Sequence, residues 1–168
     1  MPKNNRLPIM AYAIAALVIV ADQLSKFWVL NVVGLSQAGD KIEISRFFDL
    51  TMVWNRGVSF GLFRSPDGQE TIRWILAAFS AAVSVALIVW VWKAQRKWSA
   101  VGIGLIVGGA LGNLVDRIRF GAVADFIDVS GLGFFPWVFN VADAAINIGV
   151  AVLLIETFFT SDKDKTAL

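Results

Sequence analysis

Long apolar stretches separated by short polar segments dominate the pattern along this chain. Asp22 and Lys26 interrupt the first stretch and Asp143 the fourth, whereas the second and third are uncharged over most of their length. A helix needs about 20 apolar residues to cross a hydrocarbon core of about 30 Å, and each stretch has that length. The pattern predicts an all-α membrane protein, one domain over 1–168, with four transmembrane helices at about 8–33, 72–92, 99–120 and 139–159.

The polar segment between the first two stretches, residues 34–71, alternates apolar and polar positions in "KIEISRFFDLTMVWN", Lys41 to Asn55. Alternation of period two is typical of half-buried strands. The segment therefore predicts a small β-rich domain on the outer side of the membrane, with Phe47, Phe48 and Trp54 at the interface. The next stretch, "FGLFRSPDGQ", is interpreted either as a cover over a site or as a plain loop.

Basic residues near the ends of the four stretches predict the orientation. Lys3 and Arg6 precede the first stretch, "KAQRK" at 93–97 joins the second to the third, and "SDKDK" follows the fourth. Positively charged segments favour the cytoplasmic side. Both termini are therefore predicted to be cytoplasmic, with the segments 34–71 and 121–138 on the other side.

The composition restricts the chemistry that the chain can perform. Hydrophobic residues make up 57% of the chain and charged residues 17%, and neither Cys nor His is present. Ser-His and Cys-His hydrolytic arrangements are therefore impossible, as are the usual imidazole or thiolate metal sites. Carboxylates must perform any acid–base work, and no metal, cofactor or nucleic-acid partner is predicted.

Six acidic residues lie inside or beside the apolar stretches, where an ionised group at the centre of a helix costs roughly 2.5–3.5 kcal/mol. Lys26 follows Asp22 by four residues on the same helical face, which indicates a structural ion pair. Glu156 lies near the cytoplasmic end of the fourth stretch and is interpreted as interfacial. The remaining four are Asp116, Asp125, Asp128 and Asp143.

The third stretch places Gly104, Gly108 and Gly112 on one helical face, which predicts close packing against another helix. The next position on this face is Asp116, and Asn113 and Arg117 are also four residues apart. For these three polar residues a capping role and a functional role are both open.

Asp125 follows the third stretch and Asp143 begins the fourth, so both are predicted at the same outer face. Asn140, Asp143 and Asn147 share one polar face of the fourth helix. Two neighbouring carboxyl groups in a partly dehydrated site share one proton, which is the working state of an aspartic hydrolase. The same pair can act as a proton relay in a small proton-coupled transporter. The residues alone leave both open, besides a structural protein assembled through its glycine face.

Four groups of residues in order along the chain resemble the motifs of bacterial lipoprotein signal peptidases, also called signal peptidase II. The resemblance covers nearly the whole chain. The groups are "DQLSK" at 22–26, "NRGVSFG" at 55–61, "GGALGNLVDR" at 108–117 with "GAVADFID" at 121–128, and "FNVAD" at 139–143.

The resemblance implies an aspartic endopeptidase of the bacterial inner membrane with its active site at the periplasmic face. It implies Asp125 and Asp143 as the catalytic pair. Its substrate would be a prolipoprotein in membrane lipid, cut before a diacylglyceryl-modified cysteine, and globomycin-type inhibitors would bind the same site. Further substrate-binding or site-supporting positions implied by the motifs are Asn113, Asp116, Arg117, Asn140, Asn55, Gly57, Asp22 and Lys26.

Overall fold

A computed structural model describes residues 6–57, 66–133 and 137–165 of the chain. Its four α-helices are α1 (Arg6–Phe27, continued as a π-helix over Trp28–Val33), α2 (Pro66–Trp90), α3 (Lys97–Phe120) and α4 (Val141–Lys165). Each is long and apolar enough to cross a membrane, so the prediction of four apolar helices is confirmed.

Helix α3 lies at the centre of the bundle and packs against the other three helices. Its glycines explain the close approach. A Cβ on Gly104 would lie 2.6 Å from the carbonyl oxygen of Ala11, and one on Gly108 would lie 2.8 Å from that of Ala15, so side chains there would separate α3 from α1. The predicted packing face is thus confirmed, and it fixes how α1 and α3 align.

A four-stranded antiparallel sheet, in the order β1-β2-β3-β4, covers one end of the bundle. β1 (Lys41–Glu43) and β2 (Asp49–Asn55) come from the segment between α1 and α2, while β3 (Val123–Asp128) and β4 (Val138–Phe139) come from the segment between α3 and α4. The sequence pattern predicts a short sheet in the first of these segments only. The pattern does not predict strand β3, because the strand is buried on both faces and its residues do not alternate.

The sheet packs on the end of α1 through a second apolar core formed by Val29, Leu35, Leu50, Met52, Ala124 and Phe126. Phe48 and Trp54, predicted at the membrane interface, are partly buried and pack against this core. Phe47 is exposed. Trp54 also lies 5.4 Å from the ring of Phe120, which joins β2 to the last turn of α3.

Two further predictions concern the ends of the helices. Helix α4 begins at Val141, so Asn140 precedes the helix and does not lie on its polar face as predicted. Asn140 caps the beginning of α4. The helical spacing of polar residues does not distinguish such a cap from a residue inside the helix. Of the stretch "FGLFRSPDGQ", residues 60–65 lie outside the described residues and Pro66 begins α2.

Candidate active site

The carboxylate of Asp125 lies on β3 with amide donors on both oxygens. Asn140 Nδ2 donates to Oδ1 at 2.6 Å, and Asn55 Nδ2 donates to Oδ2 at 3.0 Å. Opposite Asp125 stands Val53, beyond an irregularity in the β2–β3 register that begins at Leu50. Such irregularities redirect side chains, and here the neighbouring residues Ala124 and Phe126 remain in the core while Asp125 meets the amides.

Asp143 lies in the first turn of α4 and forms a reciprocal cap with Asn140. The side-chain oxygen of Asn140 accepts the backbone N–H of Asp143 at 2.9 Å, and Asp143 Oδ2 accepts the backbone N–H of Asn140 at 3.3 Å. This is the geometry of a capping box. Since the Asn140 side chain also binds Asp125, a single residue touches both aspartates.

Asn113 of α3 completes the contact between the two aspartates. Its Nδ2 donates to Asp143 Oδ1 at 2.8 Å, while its Oδ1 accepts from Asn140 Nδ2 at 3.2 Å and from Lys26 Nζ at 3.3 Å. Two donors on the oxygen fix the orientation of the amide, so its nitrogen must face Asp143.

Arg117 and the motif at Asn55 border the pair. The Arg117 guanidinium lies one turn beyond Asn113, within the electrostatic influence of Asp143 and Asp125. Gly57 donates its N–H to Asn55 Oδ1 at 2.8 Å, which turns the Asn55 amine toward Asp125. Gly57 has φ of +75°, and a Cβ there would collide with Leu76, so both backbone and space favour glycine.

Burial and the negative charge of Asp143 raise the pKa of Asp125 to about 7, against an ordinary value of 3.8. Only 2% of Asp125 is exposed, so water solvates its charged form poorly. The amides of Asn55 and Asn140 and the charge of Lys26 act in the opposite direction but do not offset the increase. Asp125 therefore changes its protonation near neutral pH.

A second buried cluster, formed by Asp22, Lys26 and Asp116, contacts the site through Asn113. Lys26 Nζ lies 2.8 Å from Asp22 Oδ2 and 2.8 Å from Asp116 Oδ2, and all three side chains are at most 3% exposed. Gln23 Nε2 donates to both carboxylates, at 3.1 Å and 3.0 Å. The predicted Asp22–Lys26 pair is present, and Asp116 joins it across the α1–α3 interface.

The sequence interpretation missed two residues near the site. The sequence does not indicate Gln23, because a lone polar residue beside an ion pair forms no pattern of its own. Arg73 of α2 donates to the carbonyls of Arg117 at 2.7 Å and Ile118 at 2.9 Å, capping the end of α3. Its position in the first apolar turns of α2 was the available signal, since a charge there needs a partner.

Two predicted groups have structural contacts. Asp128 accepts from Thr51 Oγ1 at 2.7 Å and from the backbone of Ser130 at 2.9 Å, which ties β3 to β2 and to the following turn. Glu156 Oε2 accepts from Ser99 Oγ at 2.6 Å and so links α4 to the first turn of α3. Within the described ranges no cluster of three or more Asp or Glu residues could hold a metal ion.

The fold and the site define a polytopic membrane protein with two neighbouring carboxyl groups where the helical bundle meets the sheet. The chain belongs to the signal peptidase II family, because the family model described as Signal peptidase (SPase) II matches residues 14–159. Membership identifies the chain as a peptidase.

Relatives and solved structures agree with this assignment. A lipoprotein signal peptidase of Caulobacter vibrioides is 52% identical over 90% of this chain and 88% of its own, and one of Rhizorhabdus wittichii is 41% identical over 91% and 88%. A bacterial membrane enzyme solved by the in meso method at 2.3 Å resolution superposes with a TM-score of 0.76 at 27% identity, covering 91% of this chain and 90% of the other. A second, solved at 1.9 Å, gives 0.72 at 30%, covering 88% and 91%.

Proposed function

We propose that this peptidase removes the signal peptide from prolipoproteins, cutting before a cysteine that carries a diacylglyceryl group, with Asp125 and Asp143 as the catalytic pair. The observation that carries the proposal is the double contact of Asn140, whose amide binds Asp125 at 2.6 Å while its oxygen accepts the N–H of Asp143 at 2.9 Å. Family membership supports the substrate class.

In the proposed reaction one aspartate is anionic and the other protonated. The anion takes a proton from a water molecule, and the water oxygen attacks the carbonyl carbon of the scissile peptide bond. The protonated carboxyl donates a hydrogen bond to the carbonyl oxygen and stabilises the tetrahedral intermediate. The pair then passes the proton taken from the water to the peptide nitrogen as the C–N bond breaks, so the nitrogen leaves as the amino group of the lipid-modified cysteine. The pair returns to one anionic and one protonated carboxyl group.

The neighbouring amides and Arg117 support this chemistry by orienting the carboxyl groups. Asn113 and Asn140 leave each aspartate little freedom to rotate. Arg117 supplies a positive charge that favours the anionic member of the pair. Globomycin-type inhibitors are expected to bind between these groups and the motif at Asn55 and Gly57.

The site is proposed to face the periplasm, with both termini in the cytoplasm. The basic linker between α2 and α3 supports this orientation, because positively charged linkers stay in the cytoplasm. The sheet and both aspartates lie at the opposite end of α3. A signal peptide inserted from the cytoplasm presents its cleavage region at that face.

The proposal is tested by a gel-shift cleavage assay on purified protein, with a prolipoprotein prepared with and without its diacylglyceryl group. We expect cleavage of the lipid-modified form only. Asp125→Asn and Asp143→Asn should each reduce the rate by about 10²- to 10⁴-fold, because acid–base groups of this kind contribute that much.

Asp128→Asn is the matched control. Asp128 lies on the same strand as Asp125, but its partners are Thr51 and Ser130. It should retain cleavage while the other two variants lose it. Near-normal cleavage by Asp125→Asn or Asp143→Asn would refute the pair mechanism, and equal cleavage of the unmodified substrate would refute the lipid requirement.

A further inference from the structure

We propose that Asp22, Lys26 and Asp116 form a positioning unit that sets where Asp125 and Asp143 stand relative to each other. Within the described residues, this unit links the backbone just before one aspartate to the backbone just before the other. The inference rests on the proposed function of the pair, and it assigns the cluster a role in the geometry of the reaction.

Each carboxylate of the unit binds one backbone amide. Asp22 Oδ1 accepts the N–H of Ala142 at 3.0 Å, and Ala142 directly precedes Asp143. Asp116 Oδ2 accepts the N–H of Ala124 at 3.1 Å, and Ala124 directly precedes Asp125. The start of α4 and the start of β3 are thus each held by one contact to the same unit.

The ammonium of Lys26 joins the two carboxylates. It lies 2.8 Å from Asp22 and 2.8 Å from Asp116. It also donates to Asn113 Oδ1 at 3.3 Å, and Asn113 in turn donates to Asp143 at 2.8 Å. A displacement of Lys26 therefore reaches Asp143 through both its backbone and its side chain.

Stability alone is a weak reason for this arrangement. Desolvating three charged groups is costly, and buried ion pairs often contribute no more than apolar residues of similar size. What the charges supply is a set of short, directional contacts among α1, α3, β3 and α4. Such contacts matter for catalysis, because a displacement of about 1 Å can reduce a rate about 10²-fold.

The test compares Asp22→Asn and Asp116→Asn with wild type, with kcat expressed per folded chain from the monodisperse size-exclusion peak. We expect kcat to fall roughly 10- to 100-fold. KM should stay within about threefold, because the substrate contacts remain. Glu156→Gln is the control, since it makes the same carboxylate-to-amide change at another helix-to-helix contact, with Ser99, and should leave kcat unchanged.

The dependence of kcat on pH distinguishes a positioning role from a loss of packing, because a loss of packing alone would not shift it. The charged groups acting on Asp125 are Asp143 of α4, Lys26 of α1 and Arg117 of α3. Neutralising Asp22 or Asp116 leaves the charge of Lys26 less compensated, which lowers the pKa of Asp125. The alkaline limb of kcat should therefore move to lower pH in both variants and stay in place for Glu156→Gln.

Gln23→Met provides a milder variant if the aspartate variants do not fold. It keeps the volume and all three charges but removes the donor shared by Asp22 and Asp116. We expect kcat per folded chain to fall about three- to tenfold, less than for the aspartate variants, because all three charges of the unit remain and only its alignment is loosened. The same kcat and pH profile as wild type in every folded variant would overturn the positioning role. If Asp125→Asn and Asp143→Asn themselves stay active, the proposed function fails instead.

Discussion

Asn140 Nδ2 lies 2.6 Å from Asp125 Oδ1 while the same side chain caps the helix that carries Asp143. The contact joins a strand residue to a helix terminus. Folding of α4 and placement of the proposed catalytic pair therefore depend on one asparagine, and the two roles can be separated by mutation.

Asn140→Ser should separate them. Serine is a good helix cap but is too short to reach Asp125, whereas Asn140→Ala loses both functions. Both variants lose the buried contact with Asp125, so we expect the alanine variant to be less stable than the serine variant by about 1 kcal/mol, the contribution of the cap. Both should lose about 10- to 100-fold in kcat, the equivalent of one hydrogen bond to a charged group. Wild-type turnover by Asn140→Ser would contradict the bridging role.

The pKa of Asp125 predicts a trade-off between stability and activity. Because its folded pKa is raised from 3.8 to about 7, the native state binds the proton more tightly than the unfolded state. Its ionisation therefore destabilises the fold progressively as pH rises from about 4 to 7, with no effect below and the full effect above. At about 1.4 kcal/mol per pH unit the full effect is at most about 4 kcal/mol.

Asp125→Asn should consequently be inactive and more stable than wild type at pH 8, with the gain disappearing at pH 4. Unfolding in denaturant, followed by circular dichroism at both pH values, measures the difference. Asp128→Asn serves as the control on the same strand and should show no gain at pH 8. A gain of equal size at pH 4 would mean that burial of the charge is not its cause.

Lys26→Met should cost about 3–5 kcal/mol of unfolding free energy, because it leaves Asp22 and Asp116 buried without their shared cation. Lys41→Met is the comparison. Lys41 also forms an ion pair, with Asp49 at 2.9 Å, but its side chain is 41% exposed. Solvent screening makes such pairs weak, so its unfolding midpoint should not change. Similar losses of unfolding free energy in both variants would contradict the expectation that the buried ion pairs contribute more than the exposed one.

Gly112→Ala tests the contact between α3 and the positioning unit. A Cβ at this position would lie 2.7 Å from Asp22 Oδ2, whereas one at Gly104 would lie 2.6 Å from the carbonyl of Ala11, away from the site. Both substitutions overpack the same interface and should cost about 1–3 kcal/mol. Only Gly112→Ala should also lower kcat per folded chain. Equal kcat in the two variants would mean that a displacement of Asp22 does not affect the reaction.

The sequence predicted the parts of this protein that depend on local pattern. Four apolar helices follow from the length of the apolar stretches, and the close packing at Gly104 and Gly108 follows from their spacing. The approach of Asp125 to Asp143 was predicted from their shared face. The sequence did not predict that Asn140 connects them, because its spacing placed it inside the helix and not at the cap.

Contacts between distant residues account for the rest. Strand β3 was missed because a strand covered on both sides shows no alternation, and its pairing with β2 depends on a segment far away in the chain. The joining of Asp116 to Lys26 requires the register of α1 against α3. That register depends on packing of individual side chains, which one sequence does not specify.

The bond from Asp22 to the amide of Ala142 has a consequence for how the protein is made. The first helix is synthesised long before the last, and its two charges enter the membrane as an i,i+4 pair that reduces the cost of insertion. The amide that Asp22 binds arrives only when α4 follows. The contact between the first helix and the last therefore forms only after α4 has been inserted.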